Sequence, residues 1–133
     1  MEANKLIDAA ISAREKAYCP YSNFKVGAAA LFEDGKIYIG CNIENASYGA
    51  TNCAERTAIF NGISNGNRIL KALALIGDTK RFTYPCGICR QVISEFAEDE
   101  NIRIYLIKNE NEVLVKTLGE LMPGTFTKID LEN

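Results

Sequence analysis

Three cysteines and one glutamate, held in two short motifs, constrain this chain more than any other feature. The first motif is Cys-Ala-Glu at residues 53–55, and the second is Pro-Cys-Gly-Ile-Cys at residues 85–89. A structural zinc site uses four protein ligands, whereas a hydrolytic site uses three and leaves the fourth place for water. The three thiols therefore predict a catalytic site with one Zn²⁺ per chain, and the fold must bring them together.

The sequence of 133 residues contains no histidine. If zinc binds Cys53, Cys86 and Cys89, the acid/base work must therefore fall to a carboxylate, and Glu55 is the nearest one in sequence. We predict that Glu55 moves protons during hydrolysis at an electron-poor carbon, with a pKa well above that of a free glutamate.

Helix geometry predicts where the two motifs lie. Cys86 and Cys89 are three residues apart, which is about 60° around a helix, so both can point the same way from its first turn. Cys53 and Glu55 are two residues apart, about 200° around a helix, so they converge only if Cys53 stands at the very start of one. Both motifs are therefore predicted at helix N-termini.

Three thiolates on Zn²⁺ leave a local charge of about −1, which opposes ionisation of a bound water. The two helix N-termini offset part of that charge, and Arg56 and Arg90 are candidates to donate hydrogen bonds to thiolate sulfur. We favour Arg56 for this role. The alternative is that Arg56 is a solvated surface residue.

The apolar pattern predicts a single α/β layered domain over residues 1–133. Predicted helices cover Glu2 to Ala17, Ala54 to about Asn65-Gly66, the stretch directly after the Cys-x-x-Cys motif (with Val92, Ile93, Phe96 and Ala97), and a short segment around Leu118–Met122. The last of these follows a capping box formed by Thr117 and Glu120. Predicted strands are Lys25–Phe32, Lys36–Cys41, Leu70–Ile76, Ile102–Ile107 and Val113–Val115, the first two joined as a hairpin by Asp34-Gly35.

Charge and hydropathy limit the kinds of molecule that this protein is expected to bind. The net charge is −2 and the basic residues are scattered, which argues against nucleic acid and favours a small soluble substrate. The N-terminus has no basic segment followed by an apolar one, and the longest apolar run, Val26–Phe32, is too short to span a bilayer. A cytoplasmic protein with no membrane partner is predicted. Cys19 and Cys41 remain outside the motifs and are predicted to be small buried hydrophobes.

Two other classes of protein fit part of this pattern. A thioredoxin-like redox enzyme uses Cys-x-x-Cys, but it needs no third cysteine followed two residues later by glutamate. A zinc-stabilised interaction module is the non-enzymatic alternative, since Cys19 or Cys41 would supply a fourth ligand.

The chain resembles the small, homotetrameric cytidine deaminases over nearly its whole length. Besides the two zinc motifs, the resemblance rests on Tyr-Cys-Pro-Tyr-Ser-Asn-Phe-Lys-Val-Gly-Ala-Ala at residues 18–29, Gly-Cys-Asn-Ile-Glu-Asn-Ala-Ser-Tyr at 40–48 and Leu-Met-Pro-Gly-Thr-Phe at 121–126. A Cys₃ zinc site, a glutamate that is not a ligand and Pro-Cys-x-x-Cys mark the zinc nucleobase deaminases. The departures from the family pattern, Cys19, Ala50 and Ile88, remove neither a ligand nor Glu55.

The resemblance implies a three-layer α-β-α fold with a mixed five-stranded sheet, and a homotetramer whose sites are shared between subunits. It implies hydrolytic deamination of cytidine and deoxycytidine to the uracil nucleosides plus ammonia, in which a zinc-activated water attacks C4 and Glu55 shuttles protons. The implied substrate contacts are Phe24 on the pyrimidine, Asn42 and Glu44 on the ribose hydroxyls, the Ala54 amide and Glu55 on the base edge, Ala46 in the pocket, and Tyr48 and Phe126 reaching neighbouring subunits' sites.

Two related activities are weighed against this one. A relative that acts on the antibiotic blasticidin S shares both zinc motifs, and polynucleotide deaminases share the mechanism. The segment at residues 42–48 favours free nucleosides. Polynucleotide deaminases usually present a His-x-Glu motif and a basic channel, and this sequence shows neither.

Overall fold

The computed structural model describes residues 2–78 and 80–132, and helices and strands alternate along them. Within these residues the α-helices are α1 (Glu2–Arg14), α2 (Ala54–Ser64), α3 (Gly87–Phe96) and α4 (Leu118–Leu121). The strands are β1 (Gly27–Phe32), β2 (Ile37–Cys41), β3 (Leu70–Ile76), β4 (Arg103–Asn109) and β5 (Glu112–Thr117). Short 3-10 segments lie at Tyr48–Ala50 and Lys128–Leu131.

The five strands form one mixed sheet in the order β2-β1-β3-β4-β5. β3 and β4 are parallel, while the other neighbouring pairs are antiparallel. The parallel pair requires a crossover connection, and α3 lies within it. The α/β fold with a mixed five-stranded sheet is thus confirmed.

Helices cover both faces of this sheet, so its central strand is buried. α1 contributes Leu6 and Ala10 to one apolar cluster, which includes Ala74 of β3. The opposite face packs against α2 and α3, with Ile59 and Ile93 in the second cluster. A strand that is buried on both faces has a nearly continuous run of apolar residues in its sequence. This pattern explains why the predicted bounds of β3, Leu70–Ile76, agree with the observed ones.

Two glycines allow the helices to approach the sheet closely. A methyl group built on Gly27 would lie 2.3 Å from the carbonyl oxygen of Ala10 in α1. One built on Gly40 would lie 2.3 Å from the backbone nitrogen of Ala58 and 2.7 Å from the carbonyl oxygen of Ala54, both in α2. The backbone of β2 therefore touches the backbone of α2, and this contact sets the depth at which α2 begins.

The predicted elements differ from the observed ones mainly at their ends. α1 stops at Arg14 rather than Ala17, because the next three residues continue as i→i+3 turns. α3 begins at Gly87, inside the Cys-x-x-Cys motif rather than after it. β4 and β5 each extend further along the chain than predicted, because their hairpin pairing extends to Asn109 and Glu112 at one end and to Arg103 and Thr117 at the other.

The capping box at the start of α4 is confirmed. Thr117 accepts a hydrogen bond from the Glu120 backbone, and the Glu120 carboxylate accepts one from the Thr117 backbone N–H. No helix in the described part of the chain has the length and apolar character needed to cross a bilayer.

We predict that Gly40→Ala lowers the free energy of unfolding by roughly 1–3 kcal/mol, because the added methyl group overlaps backbone atoms that cannot rotate away. Urea denaturation measures this change. Gly119→Ala is the matched control, because its nearest contact is an ordinary 3.4 Å and its position is helical. Equal stability of Gly40→Ala and the parent protein would contradict the close contact.

Candidate metal and active site

The thiols of Cys53, Cys86 and Cys89 converge in the folded chain. Their sulfur atoms all lie within 4.8 Å of one another, and Cys53 Sγ is 3.9 Å from Cys86 Sγ. Zn–S bonds are about 2.3 Å, so two sulfur atoms on a tetrahedron lie about 3.8 Å apart. The observed spacing and the soft donor set both fit Zn²⁺, and the predicted ligand cluster is confirmed as able to hold a metal ion.

Both motifs lie at helix N-termini, as predicted. Cys53 is the N-cap of α2, and Cys86 is the N-cap of α3 with its sulfur accepting a hydrogen bond from the Cys89 N–H. The first backbone N–H groups of a helix carry a partial positive charge and lack partners within the helix. The two helix ends therefore favour thiolates at this point.

Arg56 is the charged side chain that contacts the thiol cluster. Its Nη2 donates a hydrogen bond to Cys53 Sγ at 3.2 Å. Although burial opposes it, hydrogen bonding to Cys53 and Cys89 raises the pKa of the Arg56 guanidinium. Its Nε is buried and has no hydrogen-bond partner within the described residues. Arg56 is thus a half-buried hydrogen-bond partner of the thiol cluster and not a solvated surface arginine.

The other arginine considered has a different role. Arg90 donates to the carbonyl oxygens of Pro85 at 2.8 Å and Leu121 at 2.7 Å. It ties the residue before Cys86 to the end of α4 and so holds the second motif in place. The sequence pattern did not indicate this role, because Leu121 is 31 residues away along the chain.

Cys53 and Cys89 differ in how readily their thiols lose a proton. Hydrogen bonding from Cys89, together with Arg56, lowers the pKa of Cys53. The pKa of Cys89 is raised because its thiol is hydrogen-bonded to Cys53 and buried. Metal binding requires the proton of Cys89 to leave, so metal affinity at this site depends on pH.

Glu55 lies in the first turn of α2 and is only 4% exposed. Burial raises the pKa of its carboxyl group to about 7, and the neighbouring Cys53 thiolate acts in the same direction. A carboxyl group with a pKa near neutrality can both accept and return a proton at physiological pH. The environment of Glu55 is therefore that of an acid/base group rather than an ordinary surface glutamate.

The two predicted sugar contacts hold the segment that carries Phe24. Asn42 is buried, with Oδ1 accepting from the Val26 N–H at 2.9 Å and Nδ2 donating to the Phe24 carbonyl at 2.7 Å. The Glu44 carboxylate accepts from the N–H groups of Tyr21 and Ser22 at 3.0 and 3.1 Å. Sequence analysis did not assign these structural roles, which join residues 16 to 23 positions apart.

Phe24 is 39% exposed and borders a cavity of about 690 Å³ that also contacts Lys80–Tyr84, just before the second motif. A methyl group on Gly77 would lie 3.0 Å from the Phe24 ring, so the end of β3 supports one side of this ring. Another cavity, of about 720 Å³, lies between the C-terminal half of α3 and α4. The second cavity contains none of the predicted site residues, so the thiol cluster identifies the site better than cavity size does.

The remaining predicted contacts differ in exposure. Ala54 is fully buried as the first residue of α2, whereas Ala46 is exposed. Tyr48 is 76% exposed and packs edge-on against Tyr21, and Phe126 is 58% exposed. The two aromatic rings thus present apolar surface outward from the single chain.

The two spare cysteines lie outside the thiol cluster. Cys19 is buried, and Cys41 is half-buried with its Sγ contacting the Lys16 carbonyl at 3.4 Å. The metal-ligand group found among the described residues contains Cys53, Cys86 and Cys89 alone. A four-cysteine structural site, which the interaction-module alternative requires, is therefore not formed.

Known proteins match both the sequence and the fold. The family described as "Cytidine and deoxycytidylate deaminase zinc-binding region" matches residues 1–105. A cytidine deaminase of Sporosarcina psychrophila is 52% identical over 131 residues, 98% of this chain and 96% of that protein. One of Halalkalibacterium halodurans is 50% identical over the full length of both. A crystal structure of cytidine deaminase from Burkholderia pseudomallei superposes with a TM-score of 0.88 at 48% identity, covering 95% of this chain and 100% of the other.

We predict that Arg56→Ala weakens zinc binding by about 10- to 100-fold, because Cys53 loses its charged hydrogen-bond donor. Competition with a chromophoric chelator measures this affinity. Arg68→Ala is the control, because the side chain of this exposed arginine donates only to the backbone carbonyls of Ile63 and Asn67. Unchanged zinc affinity in Arg56→Ala would contradict the role of this contact.

Proposed function

Because the chain belongs to the cytidine and deoxycytidylate deaminase family, we propose that it is a nucleoside deaminase. The proposed reaction is hydrolysis of cytidine and deoxycytidine to uridine and deoxyuridine plus ammonia. The proposal depends on one observation: three thiols converge on a possible metal position, and the buried carboxyl group of Glu55 lies outside that group of ligands. When bound by Cys53, Cys86 and Cys89, Zn²⁺ supplies Lewis-acid activation of a water molecule.

We assign the proton transfers to Glu55. Its carboxylate accepts a proton from the attacking water and delivers it to the ring nitrogen of the pyrimidine. It then accepts the remaining water proton from the new C4 hydroxyl group and gives it to the departing amine, so that one proton of the water ends on the ring nitrogen and the other in ammonia. A pKa of about 7 suits both directions of transfer, because neither protonation state is costly at neutral pH.

The base edge is held at the start of α2 in this proposal. Ala54 is the first residue of the helix, and its backbone N–H has no acceptor within the helix. That N–H can donate to the pyrimidine carbonyl while the Glu55 carboxyl group contacts the ring nitrogen. The Phe24 ring packs on the pyrimidine, and Ala46 completes the pocket.

The sugar contacts have limited hydrogen-bonding capacity left. A carboxylate offers about four acceptor positions, and three on Glu44 are filled by the Tyr21 and Ser22 N–H groups and the Ser22 hydroxyl. The Asn42 amide retains one donor and one acceptor position after its bonds to Phe24 and Val26. This remaining capacity suits a pair of neighbouring sugar hydroxyls.

The direct test is turnover of cytidine by the zinc-loaded protein, followed by ammonia release and by the ultraviolet change of the pyrimidine. We expect activity with cytidine and deoxycytidine, loss on chelation, and recovery when Zn²⁺ is restored. No turnover of either nucleoside by protein that contains one zinc per chain would overturn the proposed function.

We predict that Glu55→Gln lowers kcat by about 10²- to 10⁴-fold, because glutamine cannot exchange a proton. Zinc content and the thermal midpoint should stay close to those of the parent protein, since Glu55 is not a ligand. Glu110→Gln, in the exposed turn between β4 and β5, is the control and should keep full activity. Undiminished turnover in Glu55→Gln would remove Glu55 from the mechanism.

We also propose a homotetramer in which Tyr48 and Phe126 reach the sites of neighbouring subunits. The support is their exposure, since large aromatic side chains that protrude from a single chain are typical of protein interfaces. Light scattering should give the mass of four chains. Tyr48→Ala should raise KM in the tetramer, whereas a solution mass of one chain together with full activity would contradict shared sites.

A further inference from the structure

The backbone of Phe24 is held on both sides by side chains. Its N–H donates to Ser22 Oγ at 3.0 Å, and its carbonyl oxygen accepts from Asn42 Nδ2 at 2.7 Å. The side chain itself is 39% exposed, so packing alone does not set its position. These two hydrogen bonds therefore fix the position of the Phe24 backbone, from which the ring extends.

The Ser22 hydroxyl makes a second contact, to Glu44. It donates to Glu44 Oε2, while the Ser22 and Tyr21 N–H groups donate to Oε1. The hydroxyl bond is the largest of the effects that lower the pKa of Glu44, which is therefore a carboxylate at neutral pH. A single hydroxyl group thus accepts from the Phe24 backbone and donates to the Glu44 side chain.

The turn between these residues depends on the same arrangement. Asn23 has a φ of 57°, a left-handed conformation that asparagine tolerates better than most residues, and its N–H donates to the Cys19 carbonyl at 2.9 Å. This conformation lets the chain fold back so that Ser22 Oγ meets the Phe24 N–H two residues on. Ser22 is consequently the one side chain that contacts both Glu44 and the backbone of Phe24 in the described hydrogen bonds.

We infer that Ser22 is a positioning residue that couples the sugar contact at Glu44 to the pyrimidine contact at Phe24. The inference rests on the proposed function, which assigns those two contacts. Sugar binding to the free acceptor position of Glu44 and base packing on Phe24 then support each other through one hydroxyl group. Neither the zinc ligands nor Glu55 takes part in this link, so its loss should weaken substrate binding rather than the chemical step.

The test begins with Ser22→Ala, assayed for cytidine turnover in the zinc-loaded protein. We expect KM to rise about tenfold, which corresponds to 1.4 kcal/mol, while kcat stays within about twofold. Ser22→Thr keeps the hydroxyl and should restore KM. The matched control is Ser64→Ala, an exposed serine at the end of α2 that donates only to the Asn61 carbonyl, and it should leave both constants unchanged. A KM for Ser22→Ala within twofold of the parent value would overturn the inference.

A second substrate distinguishes coupling between the Glu44 and Phe24 contacts from a general disturbance of the turn at residues 22–24. Cytidine and 2′,3′-dideoxycytidine are compared in the parent protein and in Ser22→Ala. Because the dideoxy nucleoside lacks the 2′ and 3′ hydroxyl groups, which are the ones proposed to contact Glu44, the rise in KM should be several-fold smaller for it than for cytidine. An equal rise for both nucleosides would overturn the link to the sugar.

Zinc content and the thermal midpoint are measured for every variant. If Ser22→Ala does not fold, Ser22→Cys replaces it under the same KM criterion, because a thiol is a weaker donor and acceptor than a hydroxyl. Failure of the proposed function is distinguishable, because the parent protein would then turn over neither nucleoside.

Discussion

The meeting of two helix N-termini is the constraint on which the rest of this structure depends. Three thiolates gathered at one point repel each other, and the partial charges at the starts of α2 and α3 reduce that cost. Arg56 adds a full positive charge by its hydrogen bond to Cys53. The same placement at the helix start brings Glu55 and the Ala54 N–H beside the thiol cluster. In the proposed function, one backbone geometry then provides the metal site, the acid/base group and a hydrogen-bond donor for the substrate.

The sheet controls how precisely these helix ends meet. Gly40 lets α2 touch the backbone of β2, which determines how far the N-terminus of α2 stands from the sheet. The second motif follows β3, the central strand, and Arg90 ties the residue before Cys86 to α4. The thiol cluster is therefore fixed from two directions by rigid elements, while residues 21–24 are held mainly by side-chain hydrogen bonds.

That contrast explains why polar side chains hold the segment that carries Phe24. Asn42 and Glu44 each use part of their hydrogen-bonding capacity on the backbone of residues 21–26. An exposed loop has few apolar contacts to order it, so buried or charged hydrogen-bonding groups must do so. In the proposed function the residues that recognise the sugar also shape the support for the base, with Ser22 as the connection.

The sequence by itself determined the metal chemistry, the helix starts at both motifs, the course of β3 and the capping box of α4. Each of these features depends on the spacing of residues that are close together in the sequence. Helix and strand geometry alone relate such spacing to local structure. The tertiary structure decided the end of α1, the lengths of β4 and β5, the different uses of Arg56 and Arg90, the contact of Gly40 with α2, and the bonds from Ser22 to Glu44 and Phe24. Most of these join segments that lie far apart in the chain, and their partners are chosen by the packing of the whole sheet and its helices, which local spacing does not encode.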